Sequence, residues 1–263
     1  PHRLVAAACD LHGDDRPRVL VEFESSDDGY TPARTEVWAL NGADGAVEWR
    51  WRGPPKQANA ADLSDPTPLT LRLDDHRNVA VLTAAPERDA RTELLSVLDA
   101  RGQTVATAQL DGLERRGGYS AKLRVADVDG DSRDELLWIG EGKLHASSGD
   151  LAAVRWQWDL PAGRGELVDL PATSLGEPST IAVWSGDAVY GLEAATGRLR
   201  WRCEGPGPPA RQLEVHVLGC PRADGLPLIA FHEIYDPDNY ANVATVCRQA
   251  LPVDTASEST SEQ

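Results

Sequence analysis

Three eleven-residue segments of this chain align without a gap: ALNGADGAVEW at 39–49, ASSGDLAAVRW at 146–156 and GLEAATGRLRW at 191–201. Each runs from a small residue to a tryptophan ten positions later. A fourth, VLDARGQTVAT at 97–107, fits with one residue deleted in the turn and carries no tryptophan. Internal repetition constrains a fold strongly, because each copy must build the same supersecondary unit. Before each segment lies a half-buried β-type run: EVWAL, ELLSVL, KLHA or AVYGL. After it, VEWRWRG and VRWQWDL alternate again. Two alternating runs joined by a Gly- or Asp-bearing turn make a hairpin.

A looser hairpin precedes each of these. Its strands read RLVAAACD and RVLVEF in the first unit, KLRVAD and ELLWIG in the third. GELVDL with STIAVW and QLEVHVL with LPLIAF supply the fourth and fifth, and LTLRLDDHRNVAVLT holds the second with a tighter turn. Each unit is therefore four antiparallel strands, and no capped run of helical period competes with that reading. One such sheet cannot cover its own apolar face. Radial stacking around an axis does cover it.

The expected fold is all-β: a β-propeller of four-stranded antiparallel blades, with about five blades visible at 1–56, 57–117, 118–161, 162–208 and 209–253. The polar tail 254–263 has no apolar alternation and is expected to be disordered. The fifth unit supplies only three strands before that tail, so an incomplete ring is expected. Its missing strand would come from residues upstream of Pro1.

The segment GLEAATGRLRW resembles the tryptophan-docking repeat of quinoprotein-like (PQQ-like) propellers. ADVDGDSRDELL resembles the FG-GAP repeat of integrin α-type propellers and their bacterial relatives. The two signatures alternate from about residue 4 to 250. The first resemblance implies tryptophans wedged between neighbouring blades, and the second implies Ca²⁺ pinning a hairpin. Bacterial chains of this kind often carry such propellers as extracytoplasmic binding, sensor or assembly domains, which is an expectation at the level of fold.

The stretch VADVDGDSRDELLWIG crowds five carboxylates into a short loop. Counted from Asp127, oxygen-bearing side chains fall at positions 1, 3, 5 and 9, as Asp127, Asp129, Asp131 and Glu135, with the Arg133 carbonyl at 7. Alternate residues of a tight turn can point inward together. Ca²⁺ takes six to eight oxygens in an adaptable cage, whereas Mg²⁺ demands a stricter octahedron. A structural Ca²⁺ is therefore the expected cofactor. Gly130 stands at position 4 and a strand follows, so the loop is no EF-hand. Ser132 occupies position 6, where the resembled family usually has Gly, and Asp134 is expected to face outward. CDLHGDDRPRVLV in the first unit keeps Asp10 and Asp14 but has His12 at position 3 and Arg18 at position 9. A cation at position 9 argues against a metal there, and Arg18 could satisfy the aspartates itself.

The chain of 263 residues carries 26 basic and 42 acidic side chains, a net charge of −16. That field repels phosphate backbones and anionic lipid, so nucleic acid is excluded as an expected partner. No run is long and apolar enough to span a membrane. The chain has no Met, and reads as a processed product or fragment. Cys9, Cys203, Cys220 and Cys247 have no CxxC spacing and are expected to be buried free thiols.

FHEIYDPDNY at 231–240 could form a binding rim from His232, Tyr235 and Tyr240, at a propeller face that takes a protein or glycan ligand. No GxSxG, P-loop, dinucleotide fingerprint or zinc-binding histidine pair is present, and no catalytic residue can be named. The function expected is a non-enzymatic binding, sensor or assembly domain. The alternatives are a polysaccharide lyase or hydrolase, or a fragment of a PQQ-dependent dehydrogenase.

Overall fold

The computed structural model describes residues 4–25, 34–55, 68–73, 76–84, 93–110, 123–168, 180–205, 212–218, 226–234 and 243–253. All regular structure among them is strand, and no helix is long and apolar enough to cross a membrane. The strands form five antiparallel sheets in which sequence neighbours pair as in a meander, with one later strand added to the fourth sheet. The four-stranded sheets are consistent with propeller blades.

The chain divides into two compact units, Pro1–Gln157 and Trp158–Gln263. The first holds three sheets of four strands each. These are β1 (Leu4–Cys9), β2 (Arg18–Ser25), β3 (Arg34–Asn41) and β4 (Val47–Pro55); then β5 (Leu69–Arg72), β6 (Arg77–Ala84), β7 (Glu93–Leu98) and β8 (Thr104–Leu110). The third sheet is β9 (Arg124–Ala126), β10 (Glu135–Gly140), β11 (Lys143–Ser148) and β12 (Val154–Asp159), the last crossing the unit boundary.

The second unit begins with β13 (Glu166–Val168), β14 (Thr180–Ser185), β15 (Ala188–Glu193) and β16 (Leu199–Glu204). The fifth sheet has β17 (Gln212–Leu218), β18 (Leu228–Ile234) and β19 (Val243–Gln249). The short β20 (Leu251–Pro252) does not extend that sheet: it pairs with β16 and makes the fourth sheet five-stranded.

The repeat seen in the sequence is a repeat of backbone geometry. The pairing of the two outer strands shifts register between Ala39 and Leu40, between Val97 and Leu98, and between Gly191 and Leu192, three equivalent positions. Just beyond, Asn41 N–H donates to the Ala46 carbonyl at 2.8 Å, Ser148 to Ala153 at 2.9 Å and Glu193 to Arg198 at 2.8 Å. In the second sheet Asp99 N–H reaches Gln103 at 2.8 Å, a ring one residue shorter, as the deletion requires. An extra residue on one strand twists the hairpin locally, and these three copies bend in the same place.

Alternation along β2 buries Arg18, Leu20 and Glu22 on one face. Between the first two sheets Leu11, Leu20, Val37, Val79, Val81 and Leu98 form one core, each fully buried. Leu71, Leu95, Leu110, Leu136 and Trp138 fill the space between the second and third. In the second unit Val189, Trp201, Ile229 and Phe231 do the same between the fourth and fifth sheets. Each such side chain removed from water is worth about 1.5–3 kcal/mol. That burial is what a lone sheet could not obtain.

The tryptophans serve this packing. Trp49 is half-buried, and Trp156 and Trp201 are buried. Trp201 lies flat on its cross-strand partner Gly191, where a Cβ would meet the indole at 1.9 Å. Cys9, Cys203 and Cys247 are free thiols. Burial pushes the Cys203 thiol up to about 11. Cys247, expected inside, is exposed on β19, an edge strand of its sheet among the described residues.

A candidate metal centre in the third sheet

The acidic loop joins β9 to β10, and the Glu135–Ala126 pair closes it. Its shape follows from its own side chains. The two carboxylate oxygens of Asp127 accept the N–H groups of Gly130 at 2.8 Å and Ser132 at 3.0 Å. Asp129 accepts from Asp131 N–H at 3.3 Å, and Asp131 from Arg133 N–H at 2.7 Å. Short acidic side chains bonding backbone amides a few residues on are what curl such a turn. Two residues must take left-handed backbone, Gly130 at φ 79° and Ser132 at φ 70°. Gly does so freely, whereas Ser is held there against its preference.

Near the start of the loop Val128 is buried, and its N–H donates to Glu135 at 3.0 Å. Glu135 is only 1% exposed. Burial pushes its carboxyl above the ordinary value; the Val128 N–H and Arg155 pull downward, while Asp129 and Asp131 add to the rise. Asp127, Asp129 and Glu135 offer carboxylate oxygens within 4.8 Å of one another, a set that could hold a metal ion. Asp131 is not part of that triad, and Arg133 turns its guanidinium to Asp150 at 3.8 Å. A cleft of about 210 Å³ adjoins the triad, lined by Arg133, Glu135, Ser148, Asp150 and Arg155 among others.

Asp134 is outside the triad and half-exposed, and it reaches the neighbouring sheet. Its N–H donates to the Arg72 carbonyl at 2.7 Å, and its carboxylate accepts the Arg72 N–H at 2.5 Å. The residue thus clamps the acidic loop to β5 of the second sheet. Alternation turns Asp134 away from the triad but does not name its partner, the backbone of the edge strand β5.

Arg155, on β12, stands over the carboxylates: 3.2 Å from Glu135, 3.3 Å from Asp129 and 3.8 Å from Asp131. Reading the loop alone misses it. The repeat alignment held the signal, since Arg155 aligns with Glu48.

The first sheet shows why that matters. Its loop from Asp10 to Arg18 repeats the same shape. Asp10 accepts the N–H groups of Asp14 and Asp15 at 3.2 and 3.1 Å, and Asp14 accepts from Arg16 at 3.1 Å. Gly13 and Asp15 take left-handed backbone at φ 66° and 58°, matching Gly130 and Ser132. Leu11 is buried where Val128 is. Arg18 bonds the Asp14 carboxylate and reaches Glu48 at 3.2 Å. The Arg18–Glu48 pair is thus the Glu135–Arg155 pair with its charges exchanged.

Among the described residues no other group of three His, Cys, Asp or Glu side chains is placed to hold a metal. Of the FHEIYDPDNY stretch, residues 231–234 belong to β18, while Tyr235 and Tyr240 lie outside the described residues.

No protein-family model matches the chain, and no curated protein does. Solved structures resemble it in fold. Rhamnogalacturonan lyase YesW superposes with a TM-score of 0.52 at 14% identity, over 93% of this chain and 49% of the lyase. The Bacillus licheniformis rhamnogalacturonan lyase PL11 gives a TM-score of 0.52 at 15% identity, over 93% and 49%. The chain spans about half the length of these two structures. At such identity the likeness is one of fold alone.

Proposed function

We propose that the chain is a non-catalytic β-propeller module, a binding, sensor or assembly domain, stiffened by a structural Ca²⁺ in the third blade. The observation that carries this reading is the convergence of Asp127, Asp129 and Glu135 within 4.8 Å. The donor set fits the ion. All three are hard carboxylate oxygens, as Ca²⁺ prefers, and soft ligands are lacking. Asp131 and the Arg133 carbonyl complete the set read from spacing. A cation there would tie β9 to β10 and relieve carboxylate repulsion, which is a structural task. Its affinity should be in the range of extracellular modules, about 10⁻⁴–10⁻³ M, since Asp129 is exposed. An extracytoplasmic setting and a protein or glycan ligand on one propeller face belong to the same reading. Isothermal titration tests it: the parent should take up Ca²⁺ and Asp129→Ala should not. No uptake by the parent, or equal uptake by both, would refute the site.

A second reading has one observation behind it, the fold shared with rhamnogalacturonan lyases. On that reading the chain is part of a polysaccharide lyase or hydrolase. Release of unsaturated or reducing ends from rhamnogalacturonan by the purified chain would favour it over the module.

A further inference from the structure

We infer that Arg155 is a tethered competitor for the cation of the third-sheet loop: its guanidinium neutralises the carboxylates when metal is scarce and withdraws when metal binds. The inference concerns regulation of the proposed Ca²⁺ site and rests on that reading.

Geometry gives the first support. Arg155 lies 3.2 Å from Glu135 and 3.3 Å from Asp129, two of the three carboxylates that would hold the metal. A guanidinium and a divalent cation cannot both occupy that focus of negative charge without repelling each other. Arg155 donates to a Glu135 oxygen that the Val128 N–H leaves available, since Val128 bonds the other one.

The first sheet supplies an independent comparison. There a loop of the same shape is closed by an arginine with no need of a metal, because Arg18 occupies the ligand position itself. Arg18 is fixed: its side chain is 8% exposed and is gripped by Asp14 and Glu48. Arg155 differs in two respects. It stands on the outer strand, so every ligand position of the third loop keeps its oxygen. It is also 38% exposed and follows Val154, which is 58% exposed, at the start of β12. A long side chain at such an edge can swing into water at little cost, because its charged head regains hydration. So the fixed arginine makes a permanent latch, and the exposed one makes a replaceable latch.

The exchange sets a threshold. The loop would stay closed at any Ca²⁺ concentration, and Ca²⁺ affinity would be reduced by the work of expelling Arg155. The test uses the whole chain, with Arg155→Gln and the double exchange Glu135→Arg/Arg155→Glu, which transplants the first sheet's arrangement. Titration with CaCl₂ should show Arg155→Gln binding about tenfold more tightly than the parent, the effect of removing one exposed like charge at close range. In EDTA the melting temperature of Arg155→Gln should fall below the parent's by a few degrees, and added Ca²⁺ should restore it. The double exchange should melt like the parent and ignore Ca²⁺. Equal Ca²⁺ affinity in parent and Arg155→Gln would overturn the competition while leaving the metal site standing. An unchanged melting temperature in EDTA would overturn the claim that Arg155 holds the loop. Failure of both proteins to bind Ca²⁺ would overturn the metal reading, and the competition with it.

Discussion

Trp49, on β4 of the first sheet, donates its indole N–H to the carbonyl of Ala100 in the second sheet at 2.9 Å. The ring covers Gly102 in the same turn, where a Cβ would stand 2.6 Å from it. Neighbouring Trp51 donates to the Thr104 hydroxyl at 3.1 Å. One strand thus carries two rings that fasten its sheet to the next turn.

Trp49→Ala should destabilise the first unit by about 2–3 kcal/mol, below the full cost of a buried tryptophan because the ring is half-buried. Gly102→Ala should cost about 1–3 kcal/mol, since φ +75° is unfavourable for alanine and the methyl would displace the ring. Urea unfolding of both variants and the pair checks this. If the ring and Gly102 are one contact, the double variant should cost clearly less than the sum.

Gly191 and Trp201 predict a sharper effect. A methyl at 191 would fall 1.9 Å from the indole, so Gly191→Ala should cost about 3 kcal/mol or more, or prevent folding. Trp201→Leu should reduce the penalty of adding that methyl. Equal penalties in the two backgrounds, measured by chemical denaturation, would place the ring elsewhere.

Asp134→Ala should loosen the clamp on β5. The lost carboxylate bond to the Arg72 amide is charge-assisted, worth about 1.5–3 kcal/mol when shielded and less here because the contact is exposed. Hydrogen exchange reads it locally: the Arg72 amide should lose protection first. Unchanged protection there would contradict the clamp.

The Arg18 guanidinium bonded to Asp14 holds that carboxyl down to about 2, from an ordinary 3.8. A carboxyl with its folded pKa lowered stabilises the fold above its unfolded pKa and loses that contribution as pH falls through the folded one. The Asp14–Arg18 contribution should therefore be complete above about pH 4 and vanish towards pH 2. It should be small, because Asp14 is 39% exposed and its charge is screened. Denaturation of the parent and Asp14→Asn at several pH values measures it. The gap between them should close across that window, and a gap constant to pH 2 would contradict the assignment.

The amino-acid sequence by itself determined everything that neighbours in the chain can decide among themselves. The outer strands follow from period-two alternation, and inner ones such as β10 and β15 from short apolar runs bounded by turns. The repeated outer turn follows from Asn41, Asp99, Ser148 and Glu193 at one position, and the acidic loop's curl from Asp127 and Asp131 bonding amides two to five residues on. Such contacts close short rings, cost little chain entropy and leave a mark in local spacing.

Only the tertiary structure decided which groups from distant segments meet. Arg155 comes to Glu135 from 20 residues away, Arg72 to Asp134 from 62, and Trp49 to Ala100 from 51. Leu251 and Pro252 pair with β16 instead of continuing the fifth sheet. These contacts depend on how one sheet is turned against the next and on which edges remain open for pairing. That is settled by packing of the whole apolar face, and no local pattern encodes it.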